Sequence, residues 1–374
     1  MNKKIDNDVV EHSEGDTKFL SYSDNHSDRG PASKTEHPFY NPAMELNRDL
    51  SILVCQWIIN NSDRKIEICD GLSASGVRGL RIKNEIDGDF NIVLNDWNKK
   101  SYELIKKNRR YTGLEHIEVT NKNLNTLLSE KKFDYIDIDP FGTPVAFVDS
   151  AMRSIKDQGV LACTATDTAA LCGVYPNVSL RRYGVRSYHN FLMKETAVRI
   201  LLRFLMKEAA KHDKTIKPLL SHSSDHYFRI YVKVLKGAKK ADRDLKKISN
   251  MDAERYFFSD NNKTTFESIW SEKIHEKEMI QEIKKYLLNK KLNTKNAIYQ
   301  LLEHLEDEVD FPAFFYYVDE ITSALKISPP KRKTFFRQIE KEGYRVCRTH
   351  FNPIGFKTKA PKEIVKKVFL KNQP

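Results

Sequence analysis

The segment from Lys131 to Pro144, KKFDYIDIDPFGTP, limits what this chain can fold into more than any other stretch. Phe133, Tyr135, Ile136 and Ile138 form a short apolar run bounded by two lysines and by Pro-Phe-Gly, the pattern of a central strand in a parallel sheet. Pro140 lacks the N–H needed to continue a central strand, so the strand ends at Asp139. Open α/β sheets put their chemistry at the carboxyl ends of strands. An acid placed there, followed by the flat ring of Phe141, suits a planar base that carries an amine. An Asp-Pro-x-Gly after a strand is also a common turn, so the neighbouring elements must decide between the two.

At 374 residues, with 40% hydrophobic and 10% aromatic content, the chain can build two domains with true cores. No apolar run reaches membrane-spanning length, and the opening MNKKIDNDVVEHSEGD is polar and acidic, unlike a signal or transit segment. A cytoplasmic protein with no membrane partner is expected. Cys55, Cys69, Cys163, Cys172 and Cys347 are scattered without a C-x-x-C pair, which argues against a zinc site and against a disulfide framework. His222 and His226 flank Asp225 with no third ligand, so they read as structural and no metal is expected. The net charge of +12 is concentrated: residues 326–374 hold fourteen Lys or Arg against Glu340, Glu342 and Glu363. Such a patch suits phosphate, although a solvated lysine-rich surface has the same composition.

In chain order, residues 1–35 lack periodicity and mix five basic with seven acidic residues, which reads as a disordered extension. From Asn41-Pro42 a helix follows, with Met44, Leu46, Leu50, Leu53, Val54, Trp57 and Ile58 at helical spacing. The strand Lys65–Cys69 runs into DGLSASGVRGL, where Asp70, Gly71, Gly76 and Gly79 make a tight turn into a helix. This is neither G-x-G-x-x-G nor a P-loop, so it suits a cofactor with adenosine but without phosphates. A second strand ends at Asp96, where an acid can take the ribose hydroxyls. A third ends near Asn121, the fourth is the opening segment, and GVLACTATD is a fifth. The loop TAALCGVYPNVSLRRYGVRS is long enough to wall a substrate site, with Arg181, Arg182 and Arg186 facing phosphates. After a helix over about 188–212, KPLLSHSSDHYFRIYVKVLKG supplies two strands that close the sheet.

The order of these elements is that of an α/β, doubly wound, Rossmann-like sheet, expected over 36–238. From about Lys239 the pattern turns helical: DRDLKKI, FESIWSEKIHEKEMIQEIKKYLLNKK, TKNAIYQLLEHLEDEVD and AFFYYVDEITSALKI. A smaller, mostly helical α+β C-terminal domain, 239–374, is therefore expected. It ends in a basic helix carrying Lys331, Arg332, Lys333 and Arg337, and a hairpin carrying Arg345, Arg348, His350, Lys357 and Lys359. Helix plus hairpin resembles a winged-helix unit and would clamp a tRNA backbone.

The glycine turn at Asp70, the acid at Asp96 and the strand end at Asp139 together describe a class I methyltransferase that uses S-adenosyl-L-methionine. A hydride enzyme would need the missing pyrophosphate turn. A nucleobase amine is a poor nucleophile because its lone pair is delocalised. A site must aim it at the methyl sulfonium, exclude water and accept its hydrogen bonds as positive charge develops, which Asp139 can do.

The blocks FYNPAMELNRD, DGLSASGVRGLR, DIDPFGTP, TATDTAALCG, SSDHYFRIYVKV and RTHFNPIGFKTKAP, in order from Pro38 to Pro361, resemble the tRNA (guanine-26-N2)-dimethyltransferases. The resemblance implies an enzyme that adds one and then two methyl groups to guanosine 26 of tRNA; a monomer is expected. It implies that Asp139 orients or deprotonates the guanine amine, with the Pro140 carbonyl a second acceptor and Phe39 and Phe141 sandwiching the base. Arg48 and Arg78 would lie near the cofactor carboxylate, Asp70 in its turn and Asp96 on its ribose. Where the family commonly shows Asp-Ala toward the adenine, this chain has Asn123-Leu124. Many archaeal members bind zinc through cysteine pairs after the last sheet strand; here DLKKISNMDAERYFFS has none, and Tyr256, Phe257 and Phe258 are expected to pack in their place. The alternatives are the same chemistry on another tRNA position or on ribosomal RNA, and a catalytically silent RNA-binding protein on the same scaffold.

Overall fold

The computed structural model describes residues 4–6, 9–22, 38, 40–224, 226–259 and 265–371. Phe39 and Asp225 lie outside the described residues. The central sheet has seven strands: β4 (Ile66–Asp70), β5 (Phe90–Asn95), β6 (Ile117–Thr120), β7 (Phe133–Ile138), β8 (Ile155–Ala165), β9 (Lys214–Ser224) and β10 (Tyr227–Lys236). Their order is β6-β5-β4-β7-β8-β10-β9. The first five run parallel, and β10 is antiparallel to both β8 and β9. All six residues of β7 are buried, as a strand covered on both faces must be.

Helices cover the two faces. α1 (Glu45–Asn60), α2 (Val77–Glu85) and α3 (Lys99–Thr112) pack on one, burying Leu50, Leu53, Leu80 and Ile105 against Ile68, Ile92 and Tyr135. α4 (Leu124–Glu130), α5 (Val145–Ser154) and α8 (Met193–Ala210) pack on the other, burying Leu127, Val148 and Leu201 against Ile136, Ile138 and Ile230. The strand-helix alternation therefore carries every binding turn to the same edge. The long segment expected as a loop after β8 folds into two short helices, α6 (Thr168–Leu171) and α7 (Pro176–Tyr183), because Pro176 opens the second and Gly184 closes it in the left-handed region.

Residues 9–22 overturn the expectation of a disordered extension. β2 (Val9–Glu14) and β3 (Thr17–Tyr22) form an antiparallel hairpin through the two-residue loop Gly15-Asp16, joined by β1 (Lys4–Asp6). Gly15 has φ +56°, and a Cβ there would meet the Glu85 carboxylate at 2.6 Å. The hairpin docks because Phe19 is buried against Tyr40 and Val77, and because Asn108 both accepts from the Leu20 amide and donates to its carbonyl.

Beyond residue 236 come α9 (Ala238–Leu245), the strand pair β11 (Ile248–Asp252) and β12 (Thr265–Trp270), α10 (Lys277–Asn289), α11 (Lys295–Glu308), β13 (Tyr316–Tyr317), α12 (Val318–Leu325), α13 (Arg332–Lys341), β14 (Val346–Thr349), β15 (Asn352–Thr358) and α14 (Lys362–Lys371). FESIW, expected within a helix, is instead strand β12: Phe266, Ile269 and Trp270 are buried there and pair with β11. Tyr256 and Phe257 are buried, Phe257 against Phe191 and Tyr256 against Tyr316, so aromatic packing fills this segment. Core residues on both sides of residue 239 share one cluster. A buried ion pair and a buried hydrogen bond cross the same line, with Lys357 Nζ 2.9 Å from Glu195 and Arg199 donating to the Trp270 carbonyl. No helix among the described residues is long and apolar enough to cross a membrane.

Candidate active site

Four acids meet the carboxyl edge of the parallel strands: Asp70 ends β4, Asp96 follows β5, Asp139 follows β7 and Asp167 follows β8. Asp139 keeps 18% of its side chain exposed and is gripped from behind by Arg78 Nη2. Phe141 is 56% exposed beside it. Gly142 fixes that loop by exchanging backbone hydrogen bonds with Thr166, donating to its Oγ1 at 2.7 Å and accepting from its N–H at 2.9 Å.

Arg78 is itself held in place. Its Nη1 donates to Asn47 Oδ1 (2.8 Å) and Ser51 Oγ (2.6 Å) on α1, and lies 3.6 Å from Asp137 Oδ2. Asp137, two residues before Asp139, is fully buried, takes both guanidinium nitrogens of Arg229 from β10, and accepts from the Tyr135 hydroxyl at 2.6 Å. Burial would raise the Asp137 carboxyl, but Arg229 and Arg78 outweigh it and leave it below the usual range. Burial opposes the charge on Arg78, yet Asp137 and Asp139 hold its guanidinium more firmly protonated than usual. The result is a chain of alternating charge, Arg229, Asp137, Arg78, Asp139, running from the sheet interior to the edge.

Asp70 closes the glycine turn from inside: its Oδ2 accepts from the Gly79 amide at 3.2 Å, while its backbone carbonyl takes the Ser73 hydroxyl. Burial pushes its carboxyl up to about 7, with Arg78 opposing and Asp137 adding to the rise. An unfolded Asp titrates near about 3.9. Between these values the folded chain keeps a proton that the unfolded chain has released, so this residue lowers stability as pH rises from about 4 to about 7. Asp70→Asn should therefore gain stability relative to the parent between pH 4.5 and 7.5, as read by urea unfolding at both. An unchanged difference would mean that Asp70 does not titrate in that window.

Asp96 stands one strand away. Its two oxygens accept from the Ala74 and Asn98 amides, each at 2.9 Å, and burial raises its carboxyl against those bonds. Asn95 ties the neighbouring turns together by donating to the Gly71 and Lys122 carbonyls. Asn123 caps α4 by accepting from the Asn125 amide, and the Leu124 side chain is buried beneath Gly71, where a Cβ would meet it at 2.8 Å. Only the Leu124 backbone can therefore face a ligand at this edge.

Arg48 lies on α1, next to Asn47. Its Nε donates to Glu14 Oε2 at 2.8 Å, and its Nη2 to Glu14 Oε1 and the Asn41 carbonyl. Among the described residues no hydrogen bond reaches its Nη1, and the side chain is 6% exposed. Glu14 also takes Arg81 and the Tyr40 hydroxyl. Two basic residues expected on the RNA-facing hairpin are buried instead: Lys357 pairs with Glu195, and the His350 ring with Glu308. Lys331, Arg332, Lys333, Arg337, Arg345, Arg348 and Lys359 remain exposed. His222 is buried and His226 exposed, and among the described residues no group of His, Cys, Asp or Glu is arranged to hold a metal.

Sequence reasoning missed Asp137, Arg229, Glu14 and Trp97. The first two carry a signal, since a charge inside an otherwise apolar strand needs a partner on a neighbouring strand. Trp97, next to Asp96, is 72% exposed and offers a flat face beside that acid.

A family model described as N2,N2-dimethylguanosine tRNA methyltransferase matches residues 15–370. A Methanobrevibacter smithii protein named tRNA (guanine(26)-N(2))-dimethyltransferase is 40% identical over 350 residues, covering 88% of this chain and 90% of its own. A Pyrococcus furiosus protein of the same name is 35% identical, covering 91% and 96%. Among solved structures, Trm1 from Pyrococcus horikoshii in complex with S-adenosyl-L-methionine superposes with a TM-score of 0.84 at 31% identity, covering 96% of this chain and 99% of that one.

Proposed function

Since the chain belongs to the N2,N2-dimethylguanosine tRNA methyltransferase family, we propose that it adds one and then two methyl groups to the exocyclic N2 of guanosine 26 in tRNA. The observation that carries this is Asp139, held by Arg78 at the end of β7 with Phe141 exposed beside it.

The donor set fits S-adenosyl-L-methionine. Asp96 can take a ribose diol, Trp97 can lie against an adenine, Asn123 can reach its edge, and Arg48 can meet a carboxylate. The turn at Asp70 has no Gly-Lys-Ser/Thr ending and so no pyrophosphate cradle. When bound, the cofactor supplies a methyl group on a sulfonium centre. Phe141, with Phe39 from the FYNP block, would stack the guanine and present its amine to Asp139. The Asp139 carboxylate accepts one N–H while the Pro140 carbonyl takes the other. With S-adenosyl-L-methionine bound to supply the methyl group, Asp139 would take the proton that leaves nitrogen as the new C–N bond forms. Arg78 keeps the carboxylate aimed, and Asp137 with Arg229 keeps Arg78 in place.

The monomethyl product still has one N–H, so Asp139 can repeat the step; the dimethyl product has none, and transfer ends there. A time course on unmodified tRNA, with nucleosides separated by mass, should show N2-methylguanosine rising first and then falling as N2,N2-dimethylguanosine accumulates. A reaction that stops at one methyl group, or that labels another nucleoside, would overturn this sequence of steps.

A further inference from the structure

The helices α6 and α7 present a surface that the chemistry above does not use. Val174, Tyr175 and Leu180, close in sequence, are 52%, 59% and 46% exposed, large apolar side chains that a packed fold would otherwise bury. Arg181, Arg182 and Arg186 stand exposed around them, and residues 168–190 contain no Asp or Glu.

This surface is tied to the fold beneath it by backbone and side-chain hydrogen bonds. Gly173 has φ +85°, and a Cβ there would fall 2.2 Å from the Tyr188 backbone, so the chain is pinned just before Val174. The amides of Val174 and Tyr175 both donate to the Ala169 carbonyl, and Ser187 Oγ donates to that of Ala170. Tyr183, buried beneath α7, donates its hydroxyl to Asp167 at 2.7 Å and bonds Thr143 at 2.8 Å, in the loop that carries Phe141. The exposed face and the proposed catalytic loop therefore share one hydrogen-bonded tyrosine.

An exposed aromatic ring among arginines, with Asp167 the acid at the margin, matches single-stranded nucleic acid, whose bases stack and whose phosphates neutralise the cations. Given the tRNA substrate proposed above, on which the inference rests, we propose that this face docks the RNA strand next to the target nucleotide. Tyr175 stacks on a flanking base, and Arg181 and Arg186 meet its phosphates. Arg182 is committed to Asp167 at 3.0 Å and serves the scaffold.

The test is equilibrium binding of unmodified tRNA to the full chain over a range of salt, for the parent, Tyr175→Ala, Tyr175→Phe and Arg181→Gln/Arg186→Gln, with S-adenosyl-L-methionine affinity as the control for folding. Tyr175→Ala should lose roughly tenfold or more in tRNA affinity, with Tyr175→Phe restoring it. The double arginine variant should flatten the slope of log K against log salt by roughly one to two. Parent-like affinity in Tyr175→Ala together with an unchanged slope in the double variant would overturn the docking face and leave the methyltransferase function standing. A parent chain that binds no tRNA would overturn both. A parent that binds tRNA through these residues but labels no nucleoside would keep the docking face and reject the proposed function. Tyr175-dependent self-association in sedimentation, with tRNA binding unaltered, would make this a face for a second copy and overturn the inference.

Discussion

Replacing Asp139 with asparagine should cut methyl transfer by roughly 10²–10⁴-fold and leave affinity for S-adenosyl-L-methionine unchanged. Asparagine keeps the size of the side chain and can still accept a hydrogen bond from Arg78, but it cannot take the proton that leaves the guanine amine. The loss should therefore fall on kcat with little change in KM for tRNA. Arg78→Gln should lower kcat as well, because Asp139 would lose the guanidinium that aims it and the buried Asp137 one of its two cations. Turnover near that of the parent in Asp139→Asn would remove this residue as the proton acceptor and leave it only a binding role.

The second large effect is expected at the amino-terminal hairpin. Glu14→Ala should destabilise the fold by about 3–5 kcal/mol, the usual result of removing one partner from a buried charge cluster. Burial pushes the Glu14 carboxyl up, yet Arg48 and Arg81 outweigh it and hold it below the ordinary range. Without it, Arg48 keeps, among the described residues, the Asn41 carbonyl and the Tyr40 ring, while Arg81 retains Asp49 at 2.6 Å and Glu85. Because the folded value lies below the unfolded one, the stabilisation is present above about pH 4.5 and is lost as pH falls further. Denaturant unfolding at neutral pH measures the loss. An unfolding midpoint unchanged in Glu14→Ala would make the hairpin a passenger. The hairpin also fixes Tyr40, next to Phe39, so its removal should weaken tRNA methylation in whatever fraction stays folded.

The parallel strands and their terminal acids are legible in the sequence because a strand buried on both faces is a continuous apolar run, and Pro140 or Gly71 marks where it stops. The hairpin was hidden by composition. Val9–Glu14 and Thr17–Tyr22 flank Gly15-Asp16, a two-residue hairpin turn, but VVEHSE and TKFLSY do not alternate polar with apolar residues, so the strands carry no period-two pattern. FESIW reads as helix because it runs directly into the helical pattern of α10, whereas pairing with β11 decides its conformation. The charge chain behind Asp139 depends on β10 lying antiparallel to β8, which places Arg229 opposite Thr164 and within reach of Asp137. No local pattern encodes that neighbourhood. The same holds for Lys357 and His350, read as surface cations from composition but drawn inward by Glu195 and Glu308.

Methyl transfer from labelled S-adenosyl-L-methionine to two otherwise identical tRNA transcripts, one with guanosine and one with inosine at position 26, tests the proposed chemistry most directly. Inosine differs from guanosine only in lacking the 2-amino group. The guanosine transcript should be labelled and yield N2,N2-dimethylguanosine, while the inosine transcript should compete for binding and remain unlabelled. Equal labelling of both would contradict transfer to the 2-amino group, the step proposed for Asp139.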